Sequence, residues 1–191
     1  MASKAALSKA RGQSAKAAAV PDREFQRVHL QLNLLDRGTP QQAGGRVYAW
    51  DLLGGASIFR RDIPRGPFDA LIWEGIIRSG MPVGVIDHLQ RAVGLTQHAI
   101  LRFLGINERS LQRRRGAEAL LTLDQGVRVA SFTQMVERSI EVMGDGARAT
   151  EWLNAPNAAL RGARPMELAA TPYGAQAALD TLNAIEHGMF A

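Results

Sequence analysis

The chain has 191 residues, of which 46% are hydrophobic, and it carries a formal net charge of +5 at pH 7. This composition can bury one good core and excludes a wholly disordered protein, and the lack of cysteine excludes disulfides, thiolate nucleophiles and cysteine-based zinc sites. No apolar run approaches the ~20 residues that span a bilayer and no secretory signal opens the chain, so we expect a cytoplasmic protein without a membrane partner.

Residues 1–20 consist mainly of small and basic side chains and are predicted to form a disordered basic tail. The tail holds four of the positive charges, which leaves 19 basic against 18 acidic residues in the remainder of the chain. The net charge is therefore weak evidence for a nucleic-acid partner, and a local cluster of cations is better evidence.

Residues 21–66 are predicted to form a variable N-terminal extension. Apolar residues alternate with polar ones at Val28, Leu30, Leu32 and Leu34. This period is typical of a half-buried strand, and a short helix is the rival interpretation. Turn-forming residues over 37–46 prevent a long element. We expect Trp50 and Phe59 to pack onto the domain that follows.

A helical domain is predicted over residues 67–143. Its first helix should bury Leu71, Ile72, Gly75 and Ile76. Its second helix should turn inward Val85, Ile86, Leu89 and Val93, and Gly94 should end it. A closing helix of roughly 20 residues carries a broad apolar stripe of Leu123, Val127, Ala130, Phe132, Val136, Ile140 and Met143.

The centre of this domain, GLTQHAILRFLGINERSLQRRR, predicts a helix-turn-helix over residues 94–115. Thr96 can cap a helix that Gly105 ends in the left-handed conformation. Asn107 can cap a second helix after only three intervening residues, so the two helices must cross steeply. Leu101 stands where such a first helix usually has a small residue, and we expect a slightly looser crossing.

The second helix is predicted to bind DNA. Arg109, Gln112 and Arg113 share one face at helical spacing and suit base edges, and Leu111 turns inward. The predicted DNA-binding set is Arg109, Ser110, Gln112, Arg113, Arg114 and Arg115, of which the last two suit phosphate oxygens. The alternative interpretation is a solvated, arginine-rich helix in an ordinary bundle.

Three further helices are predicted over residues 144–191. The first ends at Asn154, Pro165 opens the second, and Thr171 with Pro172 opens the third. The third helix should turn inward Ala175, Ala178, Leu179, Leu182 and Ile185, until His187 and Gly188 end it. The predicted fold is therefore all-α, a helical bundle that contains the helix-turn-helix, followed by a small helical C-terminal domain.

No constellation for catalysis or metal binding is recognisable in the sequence. The four histidines, His29, His88, His98 and His187, have no partner at metal-ligand spacing and are expected on the surface or as caps. Glycine-rich phosphate loops and activated-serine motifs are absent. We expect no enzyme activity, no cofactor, no metal and no small-molecule substrate.

Residues 149–191 resemble the C-terminal toxin-binding domain of bacterial antitoxins of the Xre/MbcA/ParS family. The family pattern is matched by Trp152, Leu153, Asn157, Leu160, Gly162, Arg164, Pro165, Glu167, Leu168, Thr171, Gly174, Ile185, His187, Gly188 and Phe190. Residues 94–115 are similar to the Xre-type helix-turn-helix of the same family. Residues 67–191 thus fit its two-part plan, with the toxin-binding domain at 144–191.

The resemblance implies an antitoxin that inhibits a RES-domain toxin, an enzyme that consumes NAD or transfers ADP-ribose from it, by covering the active site. It also implies a homodimer that represses its own operon by binding operator DNA. The implied toxin-binding residues are Trp152, Asn157, Arg164, His187, Gly188, Met189 and Phe190, although Trp152 suits the core equally well. The alternatives are a transcriptional regulator whose C-terminal domain only dimerises, and a protein-binding adaptor that binds no DNA.

Overall fold

The computed structural model describes residues 29–32, 46–59, 66–115 and 119–189. The predictions for the tail 1–20 and for Phe190 lie outside these ranges. Ten α-helices and one 3-10 helix form within them, no strand does, and the all-α prediction is confirmed. No helix in the described ranges is long and apolar enough to cross a membrane.

The helices are α1 (Ala49–Leu52), α2 (Ala56–Phe59), α3 (Ala70–Ser79), α4 (Val85–Val93), α5 (Gln97–Phe103), α6 (Glu108–Arg115), α7 (Leu123–Met143), α8 (Gly146–Asn154), the 3-10 helix (Ala158–Leu160), α9 (Pro165–Leu168) and α10 (Pro172–Glu186).

The 21-residue helix α7 packs against α1 and α3, which precede it in the chain, and against α8 and α10, which follow it. Thr122 begins it with a capping box, in which its hydroxyl accepts from Gln125 N and the Gln125 side chain accepts from Thr122 N. Its buried side chains include Phe132, Met135 and Val136, each fully enclosed. The predicted stripe is wrong at Leu123, which is 59% exposed, and Val127 and Met143 are half-buried.

Helix α4 buries the four predicted residues and ends at Gly94 in the left-handed conformation, as expected. The predicted face of α3 is confirmed at Ile76, which is buried, and is wrong at Leu71, which is 85% exposed, and at the exposed Ile72 and Gly75. Helix α3 buries Trp73 beside Ile76, and Phe68 stacks on the Trp73 ring with a centroid separation of 5.2 Å.

The described part of the N-terminal extension contributes to the core. Trp50 and Phe59 are buried against each other with ring centroids 4.5 Å apart, which confirms their predicted packing. Burial alternates at residues 29–32 as predicted, with Leu30 fully enclosed between exposed neighbours, but neither a strand nor a helix forms. The main chain pairs instead with two separate helices. Gln31 N donates to Val93 O at 3.0 Å, and the Asn154 side chain binds Leu30 N and O at 2.9 and 2.7 Å.

The buried carboxylate of Glu137 holds both ends of the segment that runs from α1 to α3. It accepts hydrogen bonds from Ala49 N at 2.8 Å and from Phe68 N at 3.2 Å. Burial raises the pKa of Glu137 in spite of these two hydrogen bonds and of the nearby Arg46 guanidinium. Helix α7 therefore fixes the extension through one desolvated side chain.

The helices of the C-terminal domain begin and end where the sequence predicts. Helix α8 ends at Asn154, Pro165 opens α9, and the Thr171 hydroxyl accepts from Gly174 N to begin α10. A Cβ on Gly174 would lie 1.9 Å from Leu168 O, so only glycine permits this close approach. All the residues predicted to face inward on α10 are buried except Ile185, which is half-buried near the end of the helix.

Helix α10 runs along α7 in the same direction. Near its start, Arg128 of α7 donates to Ala170 O at 3.3 Å, and near its end Arg138 of α7 binds Asn183 and Glu186. The two arginines are roughly 15 Å apart along the axis of α7. The start and the end of α10 therefore lie at well-separated levels of the molecule.

Candidate functional site

Helices α5 and α6 form the predicted helix-turn-helix, and its local hydrogen bonds are those expected from the sequence. The Thr96 hydroxyl accepts from Ala99 N at 3.2 Å to begin α5, and Asn107 Oδ1 accepts from Arg109 N at 2.9 Å to begin α6. Gly105 adopts a φ of +65° in the intervening turn. This conformation strains any residue with a Cβ, and it sets the direction in which α6 leaves the turn.

Helix α6 has one buried face and one exposed face. Leu111 is buried together with Leu104 and Ile106, as predicted. The face away from this cluster carries exposed Arg109, Gln112 and Arg113, whereas Ser110 is half-buried. For Arg114 and Arg115 the structure describes only the helical backbone. The exposed face thus offers two guanidinium groups and one amide, which suit base edges and phosphates.

A second exposed surface lies at the end of α10. Gly188 N donates to Ile185 O at 3.0 Å and Met189 N donates to Ala184 O at 2.9 Å, with Gly188 at a φ of +65°. This is a Schellman motif, which fixes the direction of the chain as it leaves the helix. His187 and Gly188 are exposed, and the Met189 side chain is 68% exposed. An apolar side chain held outside the core suits a protein partner.

The other residues predicted to contact a toxin make contacts within the C-terminal domain. Asn157 Oδ1 accepts from Ala159 N at 2.9 Å, and Arg164 Nε donates to Glu167 Oε1 at 2.8 Å. Trp152 is half-buried, and its indole N–H is buried with no acceptor in the described part of the chain. These contacts organise the turns on either side of the 3-10 helix, and a direct role in toxin contact stays a prediction.

Two residues with notable environments are missing from the sequence-based sets. Tyr173 is 91% exposed at the start of α10, and it could have been recognised because it lies opposite the buried stripe of that helix. Arg128 lies on α7 beside the turn between α5 and α6, and it donates to Ala170 O in the turn before α10. Nothing in the sequence pairs its position with Ala170, since the acceptor is a main-chain group.

The charged groups around α10 are paired with each other. Arg138 binds Glu141, Glu186 and Asn183. The hydrogen bond from Arg138 lowers the pKa of Glu186. A cleft of about 330 Å³ lies beside these groups, between α7 and α10, and Phe68 and Leu179 form its apolar walls. The polar groups of the cleft are largely engaged in these contacts.

Three of the four histidines lie on the surface. His29, His98 and His187 are exposed as expected, whereas His88 is half-buried and burial lowers its pKa. Within the described ranges, no group of three or more histidine, aspartate or glutamate residues could hold a metal ion.

Comparison with known proteins matches two parts of the chain, one with α6 and one with α10, to family models. Residues 73–132 match the family model of the antitoxin Xre-like helix-turn-helix domain, and residues 139–188 match that of the antitoxin Xre/MbcA/ParS C-terminal toxin-binding domain. The chain is similar to Antitoxin Xre of Yersinia enterocolitica, with 32% identity over 116 residues that cover 60% of this chain and 78% of that protein. It is also similar to Antitoxin Xre of Photorhabdus laumondii, with 30% identity over 115 residues and the same two coverages.

Proposed function

Because this chain belongs to the Xre/MbcA/ParS family of antitoxins and has its DNA-binding and toxin-binding domains, we propose that it neutralises a RES-domain toxin and represses its own operon. The toxin would be an enzyme that consumes NAD or transfers ADP-ribose from it, and the antitoxin would act in the cytoplasm by covering the active site. The antitoxin itself would need no cofactor and no catalytic group.

The end of α10 is the proposed contact with the toxin. Met189 projects from a Schellman motif, so the chain is presented in a fixed direction and little ordering entropy is lost when it docks. Trp152, Asn157 and Arg164 would act indirectly by holding the domain, through the contacts described above. Phe190 would extend the apolar contact begun by Met189.

Helix α6 is the proposed contact with operator DNA. Arg109, Gln112 and Arg113 would enter the major groove and read base edges, and Arg114 and Arg115 would meet phosphates. If the protein is a homodimer, its two copies of α6 would dock about one turn of DNA apart on a palindromic operator.

The observation that carries this proposal is the separation of the two surfaces along α7. The turn before α6 lies beside Arg128, whereas the end of α10 lies beside Arg138, roughly 15 Å further along the helix. A toxin that contacts only the end of α10 would therefore not need to cover the turn before α6. One protein can then serve both as inhibitor and as repressor.

The toxin arm is tested by producing the protein of the neighbouring reading frame, which we expect to have a RES domain, alone and together with this chain. We expect the toxin alone to deplete NAD and stop growth, and the pair to grow normally. The Arg113→Ala variant is a matched control that should neutralise as well as the wild type, because α6 lies away from the proposed contact. If purified antitoxin leaves the rate of NAD loss unchanged, inhibition by active-site covering is wrong.

A further inference from the structure

The turn that follows the 3-10 helix holds an arginine in a backbone conformation that favours glycine. Arg161 has a φ of 57° and a ψ of 33°, and the next residue, Gly162, has a φ of 80°. Ala163 N donates to Leu160 O at 3.1 Å, so residues 160–163 form a type I′ turn, in which both central residues have a positive φ. Within the described ranges, Arg161 is the one residue other than glycine that has a positive φ.

This conformation is unfavourable for arginine, and the contacts of the main chain impose it. The Cβ of an L-residue lies close to the following carbonyl oxygen there, and turns of this type prefer asparagine, aspartate or glycine. Two further hydrogen bonds hold the turn, from Gly162 N to Asn157 O at 2.8 Å and from Asn157 N to Ala163 O at 3.1 Å. Since all these bonds join main-chain groups, the shape of the turn does not require an arginine at position 161.

The Arg161 side chain has no partner that explains its presence. It is exposed, and no hydrogen bond or ion pair joins its guanidinium to another described residue. The other two arginines described in the C-terminal domain differ, because Arg148 pairs with Asp145 and Arg164 pairs with Glu167. An unpaired guanidinium on a fixed turn suits a partner that supplies a carboxylate, which it can bind with two parallel hydrogen bonds.

We propose that Arg161 contacts the toxin, and that its guanidinium pairs with a carboxylate on the toxin surface. The turn lies within residues 139–188, which match the toxin-binding domain, and this match selects the toxin as the partner. Arginine is among the residues that concentrate binding energy at interfaces, and a rigid turn reduces the ordering entropy that is lost on docking. The inference rests on the proposed function, to which it adds a charged contact outside α10.

The binding experiment compares Arg161→Asn, Arg161→Lys and Arg148→Gln with the wild-type chain. Each is titrated by calorimetry into the purified protein of the neighbouring reading frame, at low and at high salt. We expect Arg161→Asn to weaken binding about 10-fold at low salt and less at high salt, because salt screens exposed charge pairs. Lysine keeps the charge but cannot bind a carboxylate with a planar fork, so Arg161→Lys should lose about 3-fold. Arg148→Gln removes the same charge from the same domain and should bind within about 2-fold of the wild type.

Urea denaturation of the same variants separates the contact from the fold. Asparagine tolerates the left-handed conformation better than arginine does, so Arg161→Asn should unfold at the wild-type midpoint or up to about 0.5 M above it. A variant that is at least as stable as the wild type but binds the toxin more weakly has lost a contact and not its structure. A lower midpoint would show that Arg161 stabilises the turn, and it would overturn the inference.

The remaining outcomes distinguish the inference from the proposed function. Equal losses in Arg161→Asn and Arg148→Gln would assign the effect to net charge and overturn the inference. Weaker operator binding by Arg161→Asn in a mobility-shift titration, with toxin binding unchanged, would make Arg161 a phosphate contact and would also overturn it. If the wild-type chain slows NAD loss by the toxin and Arg161→Asn slows it equally well at limiting concentration, the inference alone fails. If the wild-type chain neither binds this protein nor inhibits it, the proposed function fails together with the inference.

Discussion

Replacing Asn154 with alanine should release the N-terminal extension from the C-terminal domain. The Asn154 amide binds both main-chain groups of Leu30, at 2.9 and 2.7 Å, and donates to Thr150 O at 2.7 Å. Leu30 is fully buried, so its N–H and C=O lose their partner in a place that water reaches poorly. Each of the two bonds is worth about 1 kcal/mol, and the better helix propensity of alanine returns about 0.5 kcal/mol. We expect Asn154→Ala to lower the free energy of unfolding by about 1.5 kcal/mol.

Urea denaturation measures this loss, which corresponds to a midpoint shift of about 0.75 M for a slope near 2 kcal/mol per M. In a chain that begins at Arg46 the same substitution should change the free energy of unfolding by no more than about 0.5 kcal/mol, because Leu30 is then absent. Asn183→Ala is a second control, since Asn183 is exposed and its loss should cost at most about 0.5 kcal/mol. Equal losses in the full-length and shortened chains would refute the assignment of the energy to Leu30.

Three further predictions concern DNA, toxin and pH. Arg113→Ala should cost about 1 to 3 kcal/mol of operator affinity, and unchanged binding in a mobility-shift titration at fixed salt would count against its role as a base reader. Deletion of residues 189–191 should weaken neutralisation of the toxin while DNA binding is retained, and cells that grow as well with the shortened antitoxin would exclude the proposed docking. Burial raises the pKa of Glu137 above its ordinary value of 4.5, so the folded state binds the proton of this carboxyl more tightly than the unfolded state does. The stability that this proton contributes is complete below pH 4.5 and is lost as pH rises through the raised pKa. Glu137→Gln should lack this pH dependence in urea denaturation, and an unchanged profile would assign it to another group.

The helix-turn-helix was predictable because its determinants are local. Thr96 and Asn107 bind main-chain groups two or three residues away, and Gly105 must adopt a positive φ to turn the chain. Such interactions are visible in a window of a few residues. The exposed face of α6 follows from the same periodicity once Leu111 is known to point inward.

Features that depend on distant partners were not predictable. The sequence offers two apolar faces on α3, one with Leu71 and one with Trp73, and the buried face is the one with Trp73, on which Phe68 stacks. The alternating burial around Leu30 was correctly indicated, but its partner Asn154 lies far away in the chain. Arg128 was missed for a similar reason. It binds the carbonyl of Ala170, and a main-chain acceptor cannot be identified from the residue types in a sequence.

The continuity of α7 has a consequence for how this molecule can be recombined. The helix-turn-helix match ends at residue 132 and the toxin-binding match begins at residue 139, both inside one uninterrupted helix. A single residue inserted between these points would rotate one domain by about 100° against the other and advance it by about 1.5 Å. An insertion of about seven residues would nearly restore the phase, with an error of about 20°. Exchange of toxin-binding domains among relatives is thus restricted to junctions within α7 that preserve the phase of the helix. Any other junction would change the orientation of one domain relative to the other.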